Sequence, residues 1–316
     1  GGRGIAWARY EPHFSAAPNE PKDGVQVTED VDDIQVDEQL VNISKRRGGV
    51  GIDLSNLRPV GTTTHNAARQ STGIVTWMER YSNSIREVGQ GGRRGALMLT
   101  LSIHHPDILD FCSIKNDPTK VTGANISVRL TREFLDAVKK DEEYELRFPV
   151  EAAKPSFTRK VRAKEIWDVI IHSAWLRAEP GLLMWDNITE NTPADCYEEY
   201  KSRGTNPCSE LNLSPLDSCR LLCLVLLSYV TDSFTKEATF NFTLFREHTK
   251  IAQRLMDDLV DLETEKIDAI LAKIKADPEP DTIKHNEISL WQRVKRFNEE
   301  GRRTGTGITA LGDTLA

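Results

Sequence analysis

From Val36 onward the chain alternates stretches in which apolar residues recur every three to four positions with short apolar runs, and this predicts helices alternating with strands. A short helix through Leu40 and Ile43 ends at Lys45-Arg46-Arg47, with Gly48 and Gly49 where a C-cap glycine belongs. Gly49 to Leu54 reads as a strand. Ser71 or Thr72 can cap a helix carrying Val75, Met78, Ile85 and Val88, which stops at Gly89. Ala96 to Ile103 is the next strand, Pro106 opens a short helix, and a polar loop runs from Lys115 to Ala124. Asn125 to Leu130 is then a strand, followed by a Thr131-capped helix. Past a polar crossover, Ala163 to Arg177 is helical and Gly181 to Trp185 is a short apolar strand. The alternation predicts an α/β fold with parallel strand pairing.

Further on, Leu221 to Val230 reads as a fully buried strand. A long helix from Phe242 to Ala276 carries Leu244, Ile251, Leu255, Leu259, Leu262, Ile270 and Ile274, and stops before Pro278. Gly301 to Gly307 is a glycine-rich basic loop, and Ile308 to Ala316 begins a further element. Residues 1–36 break the pattern: Pro12, Pro18 and Pro21 precede the acidic patch Glu29-Asp30-Val31-Asp32-Asp33, so they read as an irregular acidic N-terminal arm ahead of a domain over 37–316.

Composition narrows the class of partner. With 316 residues, 39% hydrophobic and 28% charged, the chain can bury a sizeable core. Its net charge of -7 and pI near 5.6 argue against nucleic acid or an anionic membrane as partner, and leave small anionic ligands held by local loops. The longest apolar run, Leu221 to Leu227, falls short of the ~20 residues a membrane span needs. Five cysteines, with no charged-then-apolar leader at the start, point to a reducing cytoplasm without a disulfide framework. No Cys-x-x-Cys pair and no ligand-spaced histidine accompany them, so no metal site is expected.

The chemistry concentrates in Asn206-Pro207-Cys208-Ser209-Glu210, followed eleven residues later by Cys219 in Asp217-Ser218-Cys219-Arg220. If that stretch is extended, the period of two puts Asn206, Cys208 and Glu210 on one face. An amide that orients a hydroxyl, a thiol that reacts and a carboxylate that takes a proton then converge on one spot. Taken by themselves these residues leave two alternatives open, since a buried cysteine also serves as a small hydrophobe.

Six motifs in order carry a resemblance. Lys45 to Pro59 (KRRGGVGIDLSNLRP), Ser71 to Gly73 (STG), Gly91 to Ala96 (GGRRGA), His105 to Phe111 (HPDILDF), Asn206 to Glu210 (NPCSE) and Asp217 to Leu221 (DSCRL) together resemble the large catalytic chain of ribonucleotide reductases. The likeness runs from about Glu38 to Ala316, and the step from Cys208 to Cys219 looks more like the adenosylcobalamin-dependent (class II) branch than the branch whose radical comes from a diiron partner subunit. It implies the first half of a ten-stranded α/β barrel with a radical-cysteine finger loop inside. It further implies reduction of ribonucleotides, diphosphates foremost, to 2′-deoxyribonucleotides.

By the same resemblance, Cys208 would hold a transient thiyl radical that takes the 3′ hydrogen of the ribose, Glu210 would accept the 3′-hydroxyl proton, and Asn206 would hold substrate hydroxyls. Cys219 would be half of the reducing dithiol. Gly49, Ser71, Thr72, Pro207 and Ser209 would line the substrate, with Ser71 or Thr72 at a helix start facing a phosphate. Arg58, Lys115 and Lys120 align with the site for a deoxynucleoside triphosphate or ATP effector. Arg93, Arg94, Arg302 and Arg303 offer further phosphate contacts, although a solvated turn accounts for some of them. A thioredoxin-like reductant and a homodimer complete the implied partners.

The sequence departs from the family's pattern, most clearly at the cysteines. The resemblance requires a second redox cysteine upstream of Gly48, and residues 1–111 contain none, so Cys219 has no expected partner. Cys223 reads as a core residue. The expectation is a partial or rearranged catalytic chain, with a nucleotide-effector-binding fragment that does no chemistry as the alternative.

Overall fold

The computed structural model describes residues 13–16, 29–64, 69–89, 92–218 and 220–316, which fall into two compact units, His13–Leu216 and Asp217–Ala316. In the first unit, strands β1 (His13–Ala16), β2 (Gly49–Asp53), β3 (Leu97–Ser102), β4 (Asn125–Leu130) and, later in the chain, Gly181–Met184 pair in that order, every pair parallel. Helices α1 (Glu29–Ser44), α2 (Ile74–Glu87), α3 (Ile108–Ser113), α4 (Arg132–Lys140) and α5 (Ala163–Arg177) make the connections. The α/β expectation with parallel pairing therefore holds. Among the described residues the sheet is open; no closed barrel is seen.

Why these segments form one sheet is visible in how their side chains divide. In register, Val50, Ile52, Leu97, Leu99, Leu101, Ile126, Val128 and Leu130 take alternate positions and are all buried, none more than 2% exposed. Buried Leu40 and Ile43 of α1, Ile74, Met78 and Ile85 of α2, Phe111 of α3, and Ile166 and Ile170 of α5 supply the apolar cover such a face needs. The other alternate positions are Gly51, Asp53, Thr100, Ser102, Asn125, Ser127, Arg129 and the glycine at 181, with Met98 and Leu183 as the apolar exceptions. That second face carries the candidate site.

Between α4 and α5 an antiparallel hairpin, β5 (Glu143–Phe148) with β6 (Phe157–Arg162), fills what the sequence read as a polar crossover. Its signal was present in Glu-Tyr-Glu-Leu-Arg-Phe, whose alternating pattern matches alternating burial of Tyr144, Leu146 and Phe148. After β7 (Gly181–Met184) come α6 (Trp185–Asn191) and a small hairpin, β8 (Gly204–Thr205) with β9 (Asn212–Leu213).

Three expectations for this unit are corrected. The supposed irregular arm holds β1 and the start of α1, which begins at Glu29 rather than near Val36, and β1 exists by pairing with β2. The rest of that arm lies outside the described residues. At the end of α1 it is Arg47, not a glycine, that takes the left-handed conformation (φ 70°), while the Gly48 N–H closes back on the Ile43 carbonyl at 3.1 Å. Neither Ser71 nor Thr72 caps α2: Gly73 (φ 76°) precedes the helix, and Asp107 from the loop before α3 accepts the Ile74 N–H at 3.2 Å.

The second unit is built on a two-stranded parallel sheet, β10 (Arg220–Val225) with the strand Thr304–Thr309. Between them run a short antiparallel pair, β11 (Val230–Thr231) with β12 (Thr239–Phe240), and two long helices, α7 (Phe242–Ala276) and α8 (Asp281–Gly301). The strand over 304–309 is β13, and α9 (Leu311–Leu315) follows it. The bounds of α7 match the expected ones, but its buried stripe is Ala252, Met256, Val260, Ile267, Leu271 and Ile274, whereas Leu244, Ile251, Leu255 and Leu262 are exposed. Helical spacing alone fits both stripes, and packing against α8 and β10 chose between them.

The expected buried strand Leu221 to Val230 is shorter, and its middle is only partly covered. The expected basic loop is strand β13, because Thr304 to Thr309 find a backbone partner in β10. Two of its arginines are committed to carboxylates: Arg302 to Asp257 and Asp261, and Arg303 to the buried Asp217. A buried ion pair between Arg220 and Glu263 ties β10 to α7.

Candidate active site

The stretch Asn206 to Glu210 is a turn, not a strand. The Ser209 N–H donates to the Asn206 carbonyl at 3.0 Å, Ser209 has φ 67°, and the Asn206 N–H closes the hairpin on the Leu211 carbonyl at 3.1 Å. The single-face expectation for Asn206, Cys208 and Glu210 therefore fails: Asn206 is fully buried, while Cys208 and Glu210 are exposed at the tip. A left-handed residue between the thiol and the carboxylate breaks the period of two on which that expectation stood.

Strand β4 holds this turn along its length through alternate side chains. The Asn125 Nδ2 donates to the Pro207 carbonyl at 2.9 Å, the Ser127 and Ser209 hydroxyls meet at 3.3 Å, and the Arg129 Nη1 donates to the Arg203 carbonyl at 3.2 Å. Positions i, i+2 and i+4 of a strand share one face, so three consecutive inward residues fix three points of the hairpin. β2 contributes by having nothing there. A Cβ on Gly51 would lie 1.7 Å from the Thr205 carbonyl oxygen, so only glycine lets the hairpin backbone sit so close.

Arg129 is held in turn. It pairs with Asp53 at 2.8 Å, both side chains buried, and its guanidinium lies 4.2 Å from the Trp185 ring centre. The Asp53 carboxylate also accepts from Thr100 Oγ1 at 3.0 Å and Ser55 Oγ at 2.9 Å. A buried ion pair whose carboxylate has two further hydroxyl donors is held in one geometry, and it fixes the end of β4 that carries the hairpin's base.

Asn206 shows an unfilled valence. Its Oδ1 accepts the Leu211 N–H at 3.0 Å, but the buried Nδ2 has no hydrogen-bond partner among the described residues. A buried amide donor left open is rare in folded proteins and fits an acceptor brought by a ligand, such as a hydroxyl or carbonyl oxygen. It stands two residues from an exposed thiol.

Close by, a cleft of about 230 Å³ is lined by Arg86, Arg94, Lys115, Thr122, Gly123 and Asn125, among others. Lys115 thus stands at a cavity. Arg58 is not among the residues that line this cleft: its Nη1 donates to the Thr63 carbonyl at 3.2 Å, and Lys120 pairs with Glu79 of α2 at 3.5 Å. The Ser71 hydroxyl donates to the Arg58 carbonyl at 2.9 Å and accepts from the Gly73 N–H, while the Thr72 and Thr76 hydroxyls meet at 2.9 Å. Gly49 is buried at the start of β2, and Cys219 lies outside the described residues.

Two histidines after β3 brace these loops as neutral rings. His105 accepts the Asp107 N–H on Nδ1 at 3.1 Å and so donates from Nε2 to the Leu57 carbonyl at 2.8 Å; burial brings its pKa down to about 4. Burial, then the Arg147 charge, takes His104 to about 4 as well. Burial raises the Asp107 carboxyl above its usual range, against the opposing pull of the Ile74 and Val60 N–H groups. Cys112, buried in α3, has its thiol pushed far up by burial and stays protonated. No group of three or more metal-binding side chains occurs among the described residues, and no described helix is long and apolar enough to cross a membrane.

Most of the residues that position the turn were missed by sequence reasoning: Gly51, Asn125, Ser127, Arg129 and Asp53. A signal existed in Asn-Ile-Ser-Val-Arg-Leu, because a strand buried on both faces of an α/β sheet is usually apolar throughout, and every second residue here is polar.

Comparison with known proteins adds an independent finding. Residues 25–316 match the family described as ribonucleotide reductase, barrel domain. The chain is 33% identical over 275 residues to the vitamin B12-dependent ribonucleoside-diphosphate reductase of Thermoplasma acidophilum, covering 86% of this chain and 32% of that protein. It is 30% identical over 226 residues to the protein of the same name from Mycobacterium tuberculosis, covering 71% and 31%. With the ribonucleoside-diphosphate reductase large subunit of Caenorhabditis elegans it shares 25% identity over 257 residues, covering 71% and 31%. The chain thus spans about a third of the length of these relatives.

Proposed function

The chain belongs to the ribonucleotide reductase barrel-domain family, and from that premise we propose that it forms the part of a B12-dependent ribonucleoside-diphosphate reductase that carries the reacting thiol. One observation carries the reading: an exposed Cys208 on a turn pinned to β4, with the open, buried Nδ2 donor of Asn206 beside it. Core packing, the other alternative for this cysteine, does not account for an exposed thiol. In the finer form of the proposal, the open parallel sheet is the first half of the family's ten-stranded barrel and the β8–β9 hairpin is its inner finger.

Each residue then has a task suited to its chemistry. Asn206 donates through Nδ2 to a substrate hydroxyl, orienting the ribose over the turn. Adenosylcobalamin, when bound, would supply the radical chemistry, and the exposure of Cys208 fits a thiol that has to be reached from outside the turn. Cys208, as thiyl, takes the 3′ hydrogen, and Glu210 accepts the 3′-hydroxyl proton. Cys219 delivers reducing electrons, ultimately from a thioredoxin-like protein. Gly49, Ser71, Thr72, Pro207 and Ser209 line the substrate; Ser71 and Thr72 do so by exchanging their present local bonds for a phosphate.

Effector binding is proposed at Lys115 with Arg58 and Lys120, and Lys115 has the firmest support because it lines a cationic cleft. The same cleft favours a second reading, a nucleotide-binding piece without chemistry. Electron paramagnetic resonance after mixing with adenosylcobalamin and a ribonucleoside diphosphate separates the two. A radical signal that disappears in Cys208→Ala is expected. A signal unchanged in that variant removes Cys208 from the mechanism, and nucleotide binding with no signal in the native sequence establishes the second reading.

A further inference from the structure

In their proposed roles Cys208 and Glu210 act on one ribose carbon, the thiyl taking its hydrogen and the carboxylate taking the proton of its hydroxyl, so the two side chains have to converge there. One residue keeps them from sharing a face. Ser209, between them, has φ 67°, and an extended backbone at that position would restore the period of two that sets Cys208 apart from neither Asn206 nor Glu210. What holds Ser209 left-handed therefore holds the carboxylate off the face of the thiol.

Both the backbone and the hydroxyl of Ser209 are tied. Its N–H donates to the Asn206 carbonyl at 3.0 Å, and its hydroxyl meets that of Ser127 at 3.3 Å and that of Thr205 at 3.5 Å, both on buried residues. Gly181, paired with Ser127 across β4 and β7, leaves this corner open, since a Cβ there would lie 2.6 Å from the Ser127 Oγ. A left-handed backbone costs a serine about as much as one neutral hydrogen bond returns. A single hydroxyl is thus enough to decide the state of the turn.

We infer that the turn is a two-state element latched by Ser127. While the Ser127 hydroxyl holds Ser209 left-handed, Cys208 and Glu210 stay on different faces; when that bond opens, the tip extends and the carboxylate comes to lie beside the thiol. The inference rests on the reading of Cys208 and Glu210 as the reacting pair and adds the step that assembles them. Ser127 is a positioning residue in this step, acting through Ser209.

Two alkylating reagents report the approach of the pair. Iodoacetamide is neutral and iodoacetate is an anion, so the ratio of their rates at Cys208 rises when a carboxylate comes near, while the thiolate fraction, common to both, cancels. Fragmentation of the labelled peptide in the mass spectrometer separates Cys208 from Cys219. In Ser127→Ala the iodoacetamide-to-iodoacetate ratio is expected to rise roughly threefold, the repulsion of one charge about 5 Å from another across water, and the rise is expected to vanish when Glu210→Gln is added. A Ser127 that merely packs changes both rates alike, and an unchanged ratio overturns the latch. So does a rise that survives Glu210→Gln. Ser209→Ala and Ser209→Gly are made in parallel so that misfolding of Ser127→Ala leaves a reading. The alanine variant is expected to raise the ratio as Ser127→Ala does, and the glycine variant, in which a left-handed backbone carries no penalty and the N–H tie remains, to stay near the native ratio. Equal ratios in the two overturn the control by backbone conformation. Alkylation needs only the thiol, so failure of the latch and failure of the radical assignment are read in separate experiments.

Discussion

One face of the five-stranded sheet is apolar and the other is built mainly of Gly, Asp, Thr, Ser, Asn and Arg, although both belong to the same strands. The apolar face, with Leu99 and Val128 fully buried, needs only volume and hydrophobicity and accepts cover from any helix of matching shape. The polar face holds the hairpin by directed bonds: Asn125 to Pro207, Ser127 to Ser209 and Arg129 to Arg203. One face makes the protein stable; the other makes one turn stand in one place. A substitution on the first should therefore cost stability without redirecting chemistry, and a substitution on the second should redirect chemistry out of proportion to its cost in stability.

The hardest test is Arg129→Met, because removing the guanidinium strands the buried Asp53 charge and also releases the hairpin base; about 4 kcal/mol of stability should be lost in urea denaturation. Next comes Leu99→Ala, which opens a cavity on the apolar face at about 3 kcal/mol. Hydrogen exchange at 204–213 should stay unchanged in Leu99→Ala once global stability is allowed for. Faster exchange there would show that the faces are not separable. In Gly51→Ala the new Cβ collides with the Thr205 carbonyl, and since the hairpin can lift away the loss should stay near 2 kcal/mol. Exchange at 204–213 should rise sharply all the same, and the radical signal proposed for Cys208 should be lost.

Counted per histidine and per pH unit, a smaller effect separates the two faces through pH. His104 and His105 have folded pKa values near 4, below the ordinary value of 6.5, so the unfolded chain takes up protons first as the pH falls. Their contribution is complete above pH 6.5 and is lost as the pH drops from there towards 4, at no more than about 1.4 kcal/mol per histidine per pH unit. Denaturation midpoints between pH 7 and 4.5 check it. His105→Gln should flatten the slope, and an unchanged slope would remove His105 as its source.

Much of the fold was legible because burial leaves a local trace. Asn125 to Leu130, Ala163 to Arg177 and Phe242 to Ala276 begin and end where their periodicity and capping residues place them. Short elements with weak periodicity were not legible: β13 exists because β10 pairs with it, and β1 because β2 does. At the site, the trio Asn206, Cys208 and Glu210 could be found, since the residue types needed for chemistry are visible as letters. Their arrangement could not be, because Ser209 takes a left-handed backbone that no local rule required.

By itself, then, the sequence determined the alternation of the longer strands and helices, the α/β class and the residue types gathered at Asn206 to Glu210, all of which depend on residues a few positions apart. Only the tertiary structure decided that Gly51 leaves room for Thr205, that Asp107 caps α2, and that Asn125, at the edge of a cationic cleft, holds the Pro207 carbonyl. The reason is distance along the chain: Asn125 and Pro207 are 82 residues apart, and a bond across that separation forms only after the sheet has closed the loop between them and offset its entropy.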